Sequence, residues 1–180
     1  MIKEVCVENF TNVPLMIERG ANRIELNNDL SVGGTTPSFG VIKKTVEYAH
    51  KHDVPVIVMI RPRGGNFVYN EDELEIMIND IQICSLLNVD GVTFGCLTRE
   101  KHLDKRAMNR LLSVAHAGDL EVVMHMAFDE LTNAERKEAI DWLSQNRVKR
   151  ILTHGGPLNQ PISHTPVSYT HLRAHETLSD

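Results

Sequence analysis

Cysteine is scarce and scattered. Only Cys6, Cys84 and Cys96 occur in the 180 residues, without paired spacing. That excludes a disulfide framework and points to reduced thiols in a cytoplasmic protein. No apolar run approaches the length needed to cross a bilayer, and Met1-Ile2-Lys3-Glu4 does not resemble a signal peptide, so no membrane partner is expected. No lysine or arginine block stands out against a net charge of −5 and a pI near 6.0, which argues against nucleic acid as a partner. A nucleophile motif, a zinc signature and a dinucleotide fingerprint are also missing, since Gly33-Gly34 and Gly64-Gly65 lack the required spacing. What is present, 42% hydrophobic and 24% charged residues, is ordinary for a globular domain with one core.

Strand-like and helix-like patterns alternate along the chain. Strands are expected over Ile2–Val7, Arg23–Leu26, Val54–Ile60, Val92–Gly95, Glu121–Met126 and Val148–Thr153. Between them, helices are expected over Val13–Arg19, from Thr36-Pro37 to His50, after Asn70, over Asp104–His116 and from Thr132 to about Asn146. Thr36 reads as an N-cap followed by proline in the first turn. Asn70 with Glu73, and Thr132 with Glu135, read as capping boxes. Strict alternation implies βαβ crossovers and a parallel sheet, which fits either an open doubly wound sheet or a (β/α)₈ barrel.

The run from Pro55 to Gly65 narrows the choice. Six apolar residues give way abruptly to Arg61-Pro62-Arg63-Gly64-Gly65. Pro62 bars further ladder pairing, the glycines let backbone approach a bound group, and the arginines carry planar donors suited to carboxylate or phosphate. Other strands also carry polar residues at every second position: Glu4, Cys6 and Glu8, then Arg23, Glu25 and Asn27, then His125 beyond Val123. A strand covered by helices on both faces is nearly all apolar, so one face here meets something polar. A barrel interior supplies that place, and the expectation is an α/β chain forming a TIM-type barrel.

Seven segments appear in order: Glu4-Val5-Cys6-Val7, Arg23-Ile24-Glu25-Leu26, Gly33 to Ser38, Met59 to Gly65, Phe94 to Thr98, Ala127-Phe128-Asp129 and Arg150 to Thr153. Together, over roughly residues 1–156, they resemble the CutC family of copper homeostasis proteins. The resemblance implies a TIM-type barrel and a cytoplasmic protein associated with copper tolerance that binds Cu(I). Of the family's proposed thiols one matches Cys6, whereas the other falls on Asn27, an amide and a poor Cu(I) ligand. Cys96 is the remaining thiol at a strand end, so Cys6 and Cys96 are the candidate metal ligands if both project inward. Met126 stands where the family usually has arginine, and His154 where serine is common.

A second reading is enzymatic. Glu25, Arg61, Arg63, His125 and Asp129 fall at or just beyond strand carboxyl ends, where barrel enzymes place their catalytic groups. Glu25 would act as base, His125 as proton relay near neutral pH, Asp129 as a further catalytic group, and Arg61 and Arg63 as an anion clamp. The partner would then be a small phosphorylated or carboxylated molecule undergoing proton abstraction or lyase-type cleavage. The plainer alternative is a buried Glu25–Arg61 ion pair. A homo-oligomer is left open.

The carboxyl end fits neither reading. A TIM barrel takes eight strands and about 250 residues, but only six strands precede Gly155. The barrel is therefore expected to be incomplete and to span residues 1–156, with residues 157–180 a tail unrelated to it, of the kind an appended adapter sequence gives. Its His171 and His175, at i and i+4, are assigned to that tail. Without further strands, β edges facing solvent would be an aggregation hazard.

Overall fold

Six parallel strands pair in strict chain order in the computed structural model, which describes residues 2–153. They are β1 (Glu4–Glu8), β2 (Arg23–Asn27), β3 (Val56–Met59), β4 (Gly91–Phe94), β5 (Glu121–Met124) and β6 (Arg150–Ile151). Helices α1 (Val13–Glu18), α2 (Phe39–His50), α3 (Glu71–Leu86), α4 (Lys105–Ala117) and α5 (Asn133–Gln145) follow the first five strands in turn. His154, His171, His175 and the boundary at residue 156 lie outside the described residues. A doubly wound sheet reverses its strand order at a switch point. This sheet never reverses, as expected when every crossover winds the same way round a barrel.

Two observations show that the sheet is curled. First, its faces are chemically distinct. The helix-side core takes Ile24 and Leu26, Val56, Val58 and Ile60, Val92 and Phe94, and Val122 and Met124, packed with α2, α3 and α4 residues such as Ile42, Met77, Ile81 and Leu111. Ile57, Met59 and Val123 are equally buried but stand outside that cluster, on the opposite, concave face. Second, Arg150 of β6 places Nη2 3.8 Å from Glu4 Oε2 of β1. Five inter-strand spacings in a flat sheet would set those strands about 24 Å apart. The contact across the concave side therefore requires an open barrel, six strands round.

Local chemistry explains the helix starts. Asn70 forms a full capping box with Glu73: Glu73 N–H donates to Asn70 Oδ1 at 2.8 Å, and Asn70 N–H to Glu73 Oε2 at 2.9 Å. Thr132 caps α5 in one direction only, accepting from Glu135 N–H at 3.4 Å, because the Glu135 carboxylate is drawn to His102. Thr36 is not a cap. Ser38 takes that role for α2 by accepting from Val41 N–H, and the Thr36 hydroxyl is engaged at the strand ends instead. Strand β5 is shorter than expected, since Met126–Glu130 turn into a 3-10 helix. No helix among the described residues is long and apolar enough to cross a membrane.

Candidate functional site

Strand alternation builds the concave face in tiers. Its floor is a charged lattice of Glu4, Arg23, Glu121 and Arg150, in which Arg23 pairs with Glu4 and Arg150 with Glu121 as well as Glu4. Two positive and two negative side chains meet there, so the floor is matched within itself.

Cys6, Glu25 and Asn27 stand above the floor, where Cys6 is the β1 partner of Glu25. The Glu25 carboxylate, 3% exposed, accepts from Asn27 Nδ2 at 3.2 Å. The same amide nitrogen lies 3.2 Å from Cys6 Sγ. Burial raises the Glu25 pKa above the usual carboxylate range; the Asn27 bond opposes this and the charge of Glu4 adds to it. The Cys6 thiol is pushed up to about 12, by desolvation and then by Glu25.

The mouth is formed where two sequence motifs clasp one another. Thr36 N–H donates to Arg61 O, and Arg61 N–H donates to Thr36 Oγ1, both at 2.9 Å. The Arg61 guanidinium then donates to the carbonyls of Val32 at 2.8 Å, Gly34 at 2.9 Å and Gly65 at 2.7 Å. The glycines are needed for closeness: a Cβ on Gly34, whose φ is +88°, would lie 2.3 Å from Asn27 Oδ1. Arg63 is likewise committed, binding Glu73 through Nε and Nη2 and the carbonyls of Gly64, Asn66 and Val68. Both arginines thus brace mouth loops. Arg61 forms no ion pair with Glu25, so the simple structural alternative is not realised.

His125 closes the mouth from β5. It is fully buried, with its ring 5.0 Å from Phe67 and resting over Gly95, where a Cβ would come within 3.0 Å of Cε1. Its Nδ1 accepts from Ala127 N–H at 3.2 Å, which puts the ring proton on Nε2. Burial, followed by the Arg61 charge, pushes its pKa down to about 3. At neutral pH the ring is therefore held neutral, with an N–H to donate. Asp129 is buried but serves the chain: its carboxylate accepts from the Thr153 hydroxyl and its carbonyl from Arg136 Nη2 at 2.8 Å, tying the 3-10 turn to the end of β6 and to α5.

The proposed metal pair does not come together. Cys96 belongs to the helix-side core, whereas Cys6 shares the concave face with Glu25. With one thiol on each side of the sheet and an amide beside Cys6, these two thiols do not form a Cu(I) clamp. Sequence reasoning passed over Thr93 and the acceptor of Asn27. Asn27 Oδ1, Thr93 Oγ1, Arg61 Nε and His125 Nε2 are all buried without a hydrogen-bond partner. Strand parity was the available signal, since Thr93 is the polar residue of an otherwise apolar Val92-Thr93-Phe94 run.

A model of the CutC family matches residues 1–168. A family protein CutC of Enterococcus faecalis is 52% identical over 162 residues, covering 90% of this chain and 77% of that protein. A human copper homeostasis protein cutC homolog is 39% identical over 154 residues, 86% of this chain and 54% of that protein. The crystal structure of a CutC protein from Streptococcus agalactiae superposes with a TM-score of 0.90 at 40% identity, over 98% of this chain and 82% of that one. An archaeal fructose 1,6-bisphosphate aldolase shares the barrel fold alone, with a TM-score of 0.56 at 20% identity, over 78% of this chain and 53% of that one.

Proposed function

The chain belongs to the CutC family, and from that premise we propose that its part in copper homeostasis, the role its relatives' names give, runs through small-molecule chemistry on the concave face. The observation that carries this reading is the set of polar atoms without partners at Asn27, Thr93 and His125, beside a carboxyl of raised pKa at Glu25. Buried polar groups are normally paired, and a group left unpaired at a barrel mouth is waiting for something outside the chain. Glu25 holds a proton more tightly than a surface carboxylate does, which suits it to exchange a proton with a bound molecule. His125 donates without titrating, and the mouth clasp keeps Glu25, Asn27 and His125 in register. Proton abstraction or lyase-type cleavage is the chemistry such a set supports, in a cytoplasmic protein with three free thiols.

Direct Cu(I) binding is the second reading, and Cys6 is its one concave-face thiol. The two are separated by parallel titrations of the reduced chain. Melting the protein against small keto and hydroxy acids is expected to raise Tm for at least one, with the gain altered in Glu25→Gln. Cu(I) affinity is expected to be unchanged in Cys96→Ser. A high-affinity Cu(I) site abolished by Cys6→Ser, with no organic acid shifting the melt, would overturn the proposal in favour of copper.

A further inference from the structure

Arg61 is a buried cation without a carboxylate. Nη1 and Nη2 donate to the neutral carbonyls of Val32, Gly34 and Gly65, the guanidinium carbon lies 4.9 Å from the Phe67 ring centre, and the neutral Tyr69 hydroxyl is the other polar group beside it. No ion pair to it forms among the described residues. Other mouth cations differ: Arg63 is matched by Glu73 and Lys101 by Glu130. The floor is also matched within itself, so it supplies no spare negative charge. Arg61 thus leaves the top of the concave side with positive charge and one unused buried donor, Nε.

The second unused donor is His125 Nε2, whose ring touches the same Phe67. Its proton is fixed there by the Ala127 bond to the other ring nitrogen. Two buried N–H groups and an unmatched charge, gathered about one aromatic ring, lack an acceptor carrying negative charge. Water would satisfy the donors and leave the charge unmatched. We infer that Arg61 Nε and His125 Nε2 seat an anionic oxygen of the small molecule bound on the concave face, a carboxylate or phosphate oxygen. This rests on the reading of that face as a ligand site, and deepens it. Sequence motifs had suggested that Arg61 and Arg63 act together as the clamp. The geometry instead pairs Arg61 with His125 and leaves Arg63 to its loop.

The test is titration of the unaltered, histidine-15N-labelled chain with inorganic phosphate and, separately, with oxalate. His125 is assigned through His125→Gln. The expected result is that one of the two anions moves the His125 Nε2–H resonance and slows its exchange with water. Which one does so identifies the source of the oxygen. Affinity for that anion is expected to fall about tenfold in Arg61→Lys and to hold in Arg99→Ala, a change at an exposed basic residue of the outer mouth. The inference is overturned if neither anion moves the resonance, or if the loss follows Arg99 and leaves His125 unperturbed. Should a neutral ligand still bind in a Glu25-dependent way while both anions leave His125 untouched, this inference falls and the proposed function stands. Should nothing bind the face, both fall.

Discussion

His125 and Glu25 share the concave face and respond to acid in opposite senses. The histidine's folded pKa, about 3, lies below its ordinary value of 6.5. Between those two values the unfolded chain holds a proton that the native state refuses, so stability falls as pH drops from 6.5 toward 3. Glu25 is raised instead. Above the ordinary carboxylate range its native state keeps a proton that the unfolded chain has lost, and stability falls as pH rises toward the folded value. Urea midpoints measured across pH are therefore expected to show two changes. His125→Gln would flatten the acid limb by at most about 1.4 kcal/mol per pH unit, and Glu25→Gln would flatten the opposite limb. Variants that shift both profiles uniformly, with unchanged slopes, would contradict these assignments. At this scale the sequence was a fair guide to which residues lie inward and a poor guide to their partners. Glu25 and His125 were legible from strand parity. The carbonyls that hold Arg61 were not, because a main-chain acceptor on a loop is the same for every residue type.

Among the elements, helix starts were the most readable because their chemistry is local: Asn70 and Glu73 are three residues apart and satisfy one another. Thr36 misleads because its true partner, the main chain of Arg61, is 25 residues away. The clasp between the β2–α2 loop and the end of β3 also explains two glycine pairs that no fingerprint accounts for. Gly34 and Gly40 give a paired prediction. Gly34→Ala places a Cβ at φ +88° and 2.3 Å from Asn27 Oδ1, so a loss of about 1–3 kcal/mol is expected. Gly40→Ala lies in α2 with nothing near its Cβ, so a gain of about 0.5–1 kcal/mol is expected. Equal effects in chemical denaturation would mean that the clasp is loose.

For the whole molecule, alternation and one polar face were enough to choose a barrel over an open sheet. What they did not reveal was the charged floor, whose members come from four strands and meet only once the sheet is curled. Glu4 is its hub, in reach of Arg23 and Arg150. Glu4→Gln takes the partner from Arg23 and one of two partners from Arg150, and is expected to cost about 1–3 kcal/mol, reduced from the fully buried case by the partial exposure of the lattice. Adding Arg150→Met should recover part of that loss, and a double-mutant cycle reads the recovery. Simple additivity would show that β1 and β6 do not meet across the interior.

Because the apolar residues that hold the helices and the polar residues of the interior sit on opposite sides of every strand, the two sets can drift independently. Asn27, standing where the family resemblance leads one to expect a thiol, illustrates this: its side chain meets Cys6 and Glu25 and has no place in the helix-side core. A scaffold divided in this way can acquire new chemistry one residue at a time, while inheritance of its shape stays undisturbed.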